Sequence, residues 1–256
     1  MHDGTLFFIL FSAILYQEIS KSALTRHGPG FDVSHPDHAK GGRSDAILTA
    51  MEEMTGSIKT WLGNGSIDFF GRPFSGKDTQ GKILADLFGG SLISGGDILR
   101  SHHDPAAIEK IMAEGGIIPS DFYLSMVVPY LSKDEFRGRP LMLSAVGRSH
   151  GEEPIIEQAT EASGHRMKAV IVLELSDEDV WQRYDAAKEL HDRGERSEDR
   201  AEALRNRLNK YRDNTEPVID YYDQKGLLVR IDGRQSEEDV TRAIIEQLAA
   251  FSAASD

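Results

Sequence analysis

The chain has 256 residues, 39% of them hydrophobic, with no cysteine and a formal charge of −13. That length and apolar content suit one large α/β domain with small inserts. The charge argues against a general nucleic-acid surface, and the lack of cysteine excludes disulfides, thiolate zinc sites and cysteine nucleophiles.

Leu6 to Tyr16 is almost wholly apolar. A membrane span needs roughly twenty such residues, about twice what is present. The flanks, His2-Asp3 and Gln17-Glu18, lack the positive start and small-residue exit of an export signal. A short packed helix, a segment from an over-extended start codon, and a true membrane or export signal all stay open here. Residues 24 to 43, with Pro29, Pro36 and several Gly, His and Asp, read as a disordered linker. The chain therefore divides into an extension, 1–43, and a domain, 44–256.

Ser44 is placed as an N-cap for a helix over 45–62, whose pattern runs through Ile47, Met51, Met54, Ile58 and Leu62. Apolar runs at Ile67–Phe70, Ser91–Ser94, Leu141–Ala145, Ala169–Leu175 and Leu227–Ile231 predict strands, with helix-like runs between them. This alternation predicts a parallel five-stranded sheet with helices on both faces, a three-layer fold. Ligands then sit at the C-terminal strand ends. Glu198 to Tyr222 is helical in spacing, and Pro217 should kink or restart it.

The first strand runs into Gly71-Arg72-Pro73-Phe74-Ser75-Gly76-Lys77, and a helix pattern starts at Gln80. Strand, Gly-x4-Gly-Lys, helix is the context of a phosphate-binding loop. Backbone N–H groups between Gly71 and Gly76 and the helix N-terminus supply donors to phosphate oxygens. Lys77 reaches the terminal phosphates as a mobile charge. Asp78 stands where the motif prefers Ser or Thr, and a carboxylate there repels phosphate. Thr79, one place later, offers a hydroxyl to magnesium.

Arginines recur at the other strand ends. Gly95, Gly96 and Arg100 follow the second strand, and Ser144 to Arg148 follow the third. Arg183 lies on the helix after the fourth, and Arg193, Arg196, Arg205 and Arg207 flank a short polar excursion. Phosphoryl transfer spreads negative charge over oxygens that such guanidinium groups stabilise.

With these motifs on the page, the chain resembles the adenylate kinase family of nucleoside monophosphate kinases over residues 66 to 252. The resemblance rests on Gly71-x-Pro73-x-x-Gly76-Lys77-x-Thr79-Gln80 and on Ile93-Ser94-x-Gly96-Asp97-x-Leu99-Arg100. It continues through Arg205-x-Arg207-Leu208, Thr215-x-Pro217-x-Ile219-x-Tyr221-Tyr222 and the tail from Gly226 to Gly233. It implies the P-loop form of the three-layer fold, with an acceptor-binding insert at about 94–125 and a short lid at about 188–198, without a structural zinc. It also implies transfer of the γ-phosphoryl group of ATP to a nucleoside monophosphate, AMP by default, with Mg²⁺ as cofactor.

The implied roles go by position. Gly71, Ser75, Gly76, Lys77, Asp78 and Thr79 hold the ATP phosphates. Gly95, Arg100, Ile118, Arg148 and Glu152 hold the acceptor. Lys77, Arg148, Arg183, Arg196 and Arg207 act on the transferring group. Thr79 and Asp78 address Mg²⁺, through water. The partners implied are ATP and a monophosphate, with no nucleic acid or membrane, in a cytoplasmic monomer.

The departures are specific. Phe74 and Asp78 replace loop glycines, and Ser144 replaces the carboxylate that usually organises magnesium waters. Ser149 to Glu153 replaces the segment that reads adenine, Ala187 replaces an arginine, and Gly95 replaces a threonine. A kinase for CMP, UMP or a deoxynucleotide monophosphate, and a non-catalytic nucleotide-binding module, are the alternatives. Glu152, if it faces the base, favours acceptors with an exocyclic amine.

Overall fold

The computed structural model describes residues 41–100, 120–190 and 201–255. The apolar segment at Leu6 to Tyr16 and the linker reading up to residue 40 fall outside the described residues; the linker's last three residues, 41–43, are helical instead. Two compact units are present. One is Leu62–Ile244, and the other takes the described residues on either side of it.

The second unit holds most of helix α1, Gly41–Leu62, and the part of α9, Glu237–Ala254, from Ile245 onward. Within it the Trp61 ring meets Phe251 edge-on, with centroids 6.0 Å apart. α1 begins at Gly41, so Ser44 lies inside its first turn rather than capping it.

The Leu62–Ile244 unit carries the sheet. Its strands are β1 (Ser66–Gly71), β2 (Ser91–Ser94), β3 (Leu141–Ser144), β4 (Met167–Glu174) and β5 (Leu228–Asp232). They lie in the order β2-β3-β1-β4-β5, and every pairing is parallel. All six residues of β1 and all four of β3 are buried, as strands covered on both faces must be. The predicted runs fall on these strands to within two residues. β3 stops one residue early because Ala145 adopts a left-handed φ of 52°. Around the sheet lie α2 (Lys77–Phe88), α3 (Gly95–Arg100), α4 (Ser120–Leu131), α5 (Glu153–Ala162), α6 (Asp177–Leu190), α7 (Ala201–Lys210) and α8 (Glu216–Gln224). A π-helical turn, Tyr211–Thr215, joins α7 to α8, and Pro217 sits in the first turn of α8. The proline restarts the helix there because that turn asks no N–H of it.

The chain leaves β1 toward β2 on one side and leaves β3 toward β4 on the other. The crevice between the C-terminal ends of β1 and β3 is therefore the topological switch point, where doubly wound sheets bind ligands. Phe69 pairs with Ser144 at that end. Among the described residues no helix is long and apolar enough to cross a membrane.

Candidate active site

Gly71 ends β1 where nothing larger fits. A Cβ there would meet Ser75 Oγ at 2.5 Å and the Leu173 carbonyl at 2.8 Å. The Ser75 N–H donates to the Arg72 carbonyl at 3.1 Å, which tightens the loop. Gly76 precedes α2 with a φ of 88°, a conformation glycine adopts without a Cβ penalty. Lys77 and the N–H groups of the first turn of α2 follow, so the loop and helix end form the donor cradle that the sequence pattern predicts. Ser75 Oγ is buried without a hydrogen-bond partner inside this cradle.

Two residues that are not small hold the loop in place. Phe74 has a φ of 64°, which costs an L-residue roughly 1–2 kcal/mol. Its ring offsets that cost by burial with Leu175, Val180, Tyr184, Leu204 and Leu208, edge-on to Tyr184 at 5.9 Å. The cluster ties the loop to α6 and α7, the helices on either side of the expected lid. Arg72 is the second anchor. Its guanidinium donates to Asp177 Oδ1 at 3.0 Å, to the Leu175 carbonyl at 2.9 Å and to Glu216 Oε1 at 3.0 Å. It also lies 4.9 Å from the centroid of the Tyr211 ring. The Tyr211 hydroxyl is pushed up to about 12, chiefly by burial, with Arg72 pulling the other way. Sequence reasoning missed Arg72. Its signal was an arginine inside an otherwise small and apolar loop.

Over this loop opens a cleft that is continuous with solvent. Lys77, Arg148, Arg207 and Lys210 line it, and among the described residues no carboxylate does. In a chain of net charge −13 this is a local reversal of sign. Thr215 Oγ1 donates to the Arg148 carbonyl at 3.0 Å and so fixes the backbone that carries Arg148. The structure thus brings Lys77, Arg148 and Arg207 together, and adds Lys210.

The other expected residues are placed as follows. Arg183 donates to the Phe74 carbonyl at 3.0 Å and to the Gly233 carbonyl, so here its fork braces the loop from behind. Gly95 is buried at the end of β2 and opens α3, and Arg100 ends that helix. Glu152 is 2% exposed and accepts from the Ser149 N–H at 3.1 Å. Glu153 accepts from the Gly151 N–H at 2.6 Å and meets His150 Nδ1 at 3.1 Å. Both carboxylates serve the N-terminus of α5, where negative charge is favoured. Ile118 and Arg196 fall outside the described residues, with most of the acceptor insert and the lid.

Asp78 and Ser144 meet across the crevice. The Ser144 hydroxyl donates to Asp78 Oδ1 in a short hydrogen bond. Asp78 and Thr79 are exposed in the first turn of α2. These are hard oxygen donors of the kind Mg²⁺ uses through its water shell. Among the described residues no three His, Asp or Glu side chains form a cage. The donor set therefore fits a magnesium that arrives on a nucleotide's phosphates rather than one the protein holds alone.

Beneath the crevice Asp68 is fully buried in β1, and neither carboxyl oxygen has a hydrogen-bond partner. Burial holds its carboxyl well above the usual range. The N–H groups of Val146, Phe69 and Ala145 pull the other way but do not reach hydrogen-bonding geometry.

Comparison with known proteins agrees with this architecture. The adenylate kinase family model matches residues 69–227. An adenylate kinase of Thermus thermophilus is 30% identical over 180 residues, covering 68% of this chain and 92% of its own. One from Prochlorococcus marinus is 34% identical over 181 residues, covering 69% and 92%. One from a Synechococcus strain is 32% identical over 186 residues, covering 71% and 97%. These matches support phosphoryl transfer involving nucleotides as the general activity. By fold, phosphate loop and sequence, the chain belongs to the adenylate kinase family, as a divergent member.

Proposed function

We propose that the protein transfers the γ-phosphoryl group of ATP to a nucleoside monophosphate, with AMP as the default acceptor. The observation that carries this reading is the cleft at the switch point, lined by four cations and, among the described residues, by no carboxylate, over a phosphate-binding loop. An oxygen of the acceptor phosphate attacks the γ-phosphorus, the bond to the β–γ bridging oxygen breaks, and ADP leaves. The reaction needs positioning and charge stabilisation rather than a covalent intermediate.

In this reading the loop N–H groups and the buried, unpartnered Ser75 hydroxyl hold the donor phosphates. Lys77 balances the charge on the β and γ groups. Arg148, on its tethered backbone, addresses the acceptor phosphate. Arg207 faces the transferring group from α7, and Arg196, which lies outside the described residues, is the further arginine that the family resemblance assigns to that group. Arg183 and Arg72 keep the loop in shape, which matters because misplacement of reacting groups by about 1 Å costs roughly a hundredfold in rate. Asp78 and Thr79 would hold the waters of a Mg²⁺ that arrives with ATP, and that ion would supply further neutralisation of phosphate charge.

A second reading keeps the chemistry and changes the acceptor to CMP, UMP or a deoxynucleotide monophosphate. It is motivated by the departure of Ser149 to Glu153 from the family's adenine-reading segment, where Glu152 and Glu153 accept from the Ser149 and Gly151 N–H groups. Mg-ATP with a panel of nucleoside monophosphates, read by product separation, tests both. Formation of ADP with one acceptor supports the proposal and names that acceptor. No diphosphate from any of them rejects it in favour of a binding module. Lys77→Ala is expected to lower turnover by about a hundredfold or more while the protein stays folded. Near-normal turnover in that variant would remove Lys77 from the reaction.

A further inference from the structure

The cleft contains one cation that no sequence motif marks. Lys210 ends α7 and lines the cleft with Lys77, Arg148 and Arg207. It stands three residues after Arg207, so both project from one side of the helix. The other two basic residues of this stretch, Arg205 and Arg212, are engaged elsewhere. Arg205 lies 5.6 Å from the centroid of the Trp181 ring. Arg212 donates to Asp177 Oδ2 and to Asn209 Oδ1, both at 2.6 Å. Lys210 has no carboxylate partner among the described residues; its backbone carbonyl accepts from Asn214 Nδ2 at 3.3 Å.

The turn that follows Lys210 links it to Arg148. The π-helical turn Tyr211–Thr215 begins at the next residue. Such turns are rare and concentrate at functional sites. Tyr211 and Thr215, its first and last residues, are buried and line the same cleft. Thr215 is hydrogen-bonded to the backbone of Arg148. Lys210 thus leads into a turn that reaches the backbone of Arg148 through Thr215, while Tyr211 packs on Arg72 of the phosphate loop. Four cations facing one space repel each other, and a bound polyanion relieves that repulsion. A phosphate monoester carries about −1.5 to −2 charges at neutral pH, more than one guanidinium balances.

We propose that Lys210 is a phosphate-binding residue of this protein, gripping the acceptor nucleotide's phosphate beside Arg148. The inference rests on the phosphoryl-transfer reading of the cleft and adds to it a second acceptor-side cation. Lys210 has a flexible four-carbon stem, so it follows the phosphate as the acceptor settles, while Arg148 supplies the fixed fork.

Titration calorimetry tests this with AMP, and in parallel with ATP, on wild type, Lys210→Met and Lys210→Arg at one ionic strength. CMP, UMP and GMP are titrated as well, and the comparison is read on each monophosphate that the wild type binds. Lys210→Met is expected to weaken the monophosphate about tenfold and ATP by less than about twofold, as loss of one charge-assisted contact implies. Lys210→Arg should stay within about threefold of wild type, because the charge is kept. Unchanged monophosphate affinity in Lys210→Met overturns the inference. So does an equal loss for ATP and monophosphate, which marks a general field effect. A wild type that binds none of the four monophosphates instead removes the transfer reading, and this inference with it. Thermal melts of both variants confirm that they are folded.

Discussion

Asp68 and Asp78 show how differently two carboxylates behave within one crevice. Asp68 is sealed in β1 without a partner, and its folded pKa lies well above the unfolded value near about 3.9. Below the unfolded pKa both states are protonated and burial of Asp68 carries no ionisation penalty. As pH rises past that value the unfolded chain releases the proton and the folded chain keeps it, so stability falls until the folded pKa is passed. Asp68→Asn removes the titration. Its melting temperature is expected to exceed that of wild type by more at pH 7 than at pH 4.5, as measured by thermal melts across that range. Equal differences at both pH values would show that Asp68 is ionised in the folded protein. Asp78 lies in the open, hydrogen-bonded to Ser144. If it organises magnesium waters, Asp78→Gly lowers activity and shrinks the gain in ATP affinity that Mg²⁺ gives, read by titration with and without the metal. Higher activity in Asp78→Gly at saturating Mg²⁺ would show that the carboxylate only repels phosphate.

Among the elements, the phosphate loop depends on distant parts of the chain. Arg72 is 105 positions from Asp177 and 144 from Glu216, yet it joins the loop to the starts of α6 and α8. Its side chain is 22% exposed, so these contacts are only partly screened. Arg72→Met keeps the stem and removes the fork. It is expected to cost about 1–3 kcal/mol of stability by urea unfolding and to weaken ATP binding, since the carbonyl and carboxylates lose a charged donor. Arg72→Lys should recover little, because a point charge cannot serve three directions at once. Full ATP affinity in Arg72→Met would mean that Phe74 and Arg183 hold the loop without it. This is also where sequence reading reaches its limit. Gly71, Gly76 and Lys77 were legible because strand, glycine spacing and helix are neighbours in sequence. The five strands were legible because each is a short apolar run. The left-handed Phe74, the tethers of Arg72, the inward turn of Glu152 and the cleft-facing Lys210 were not. Each is set by residues that meet only after the sheet and its helices have packed.

At the scale of the whole molecule, the cleft residues Lys77, Arg148, Arg207 and Lys210 all fall within Leu62–Ile244. The family model matches residues 69–227, inside the same unit. A relative matched over 92% of its own length covers 68% of this chain. A chain beginning at Gly41 keeps all of α1 and every described site residue. It is therefore expected to retain the cooperative melt of the full chain and to turn over ATP and its acceptor within about threefold of the full-length rate. The first residues of most domains tolerate truncation. Steady-state kinetics of the two chains side by side make the comparison. A loss of turnover with an unchanged melt would place a catalytic contribution in residues 1–40. A loss of the melt itself would place part of the core there, with the apolar run from Leu6 to Tyr16 as the segment to restore first.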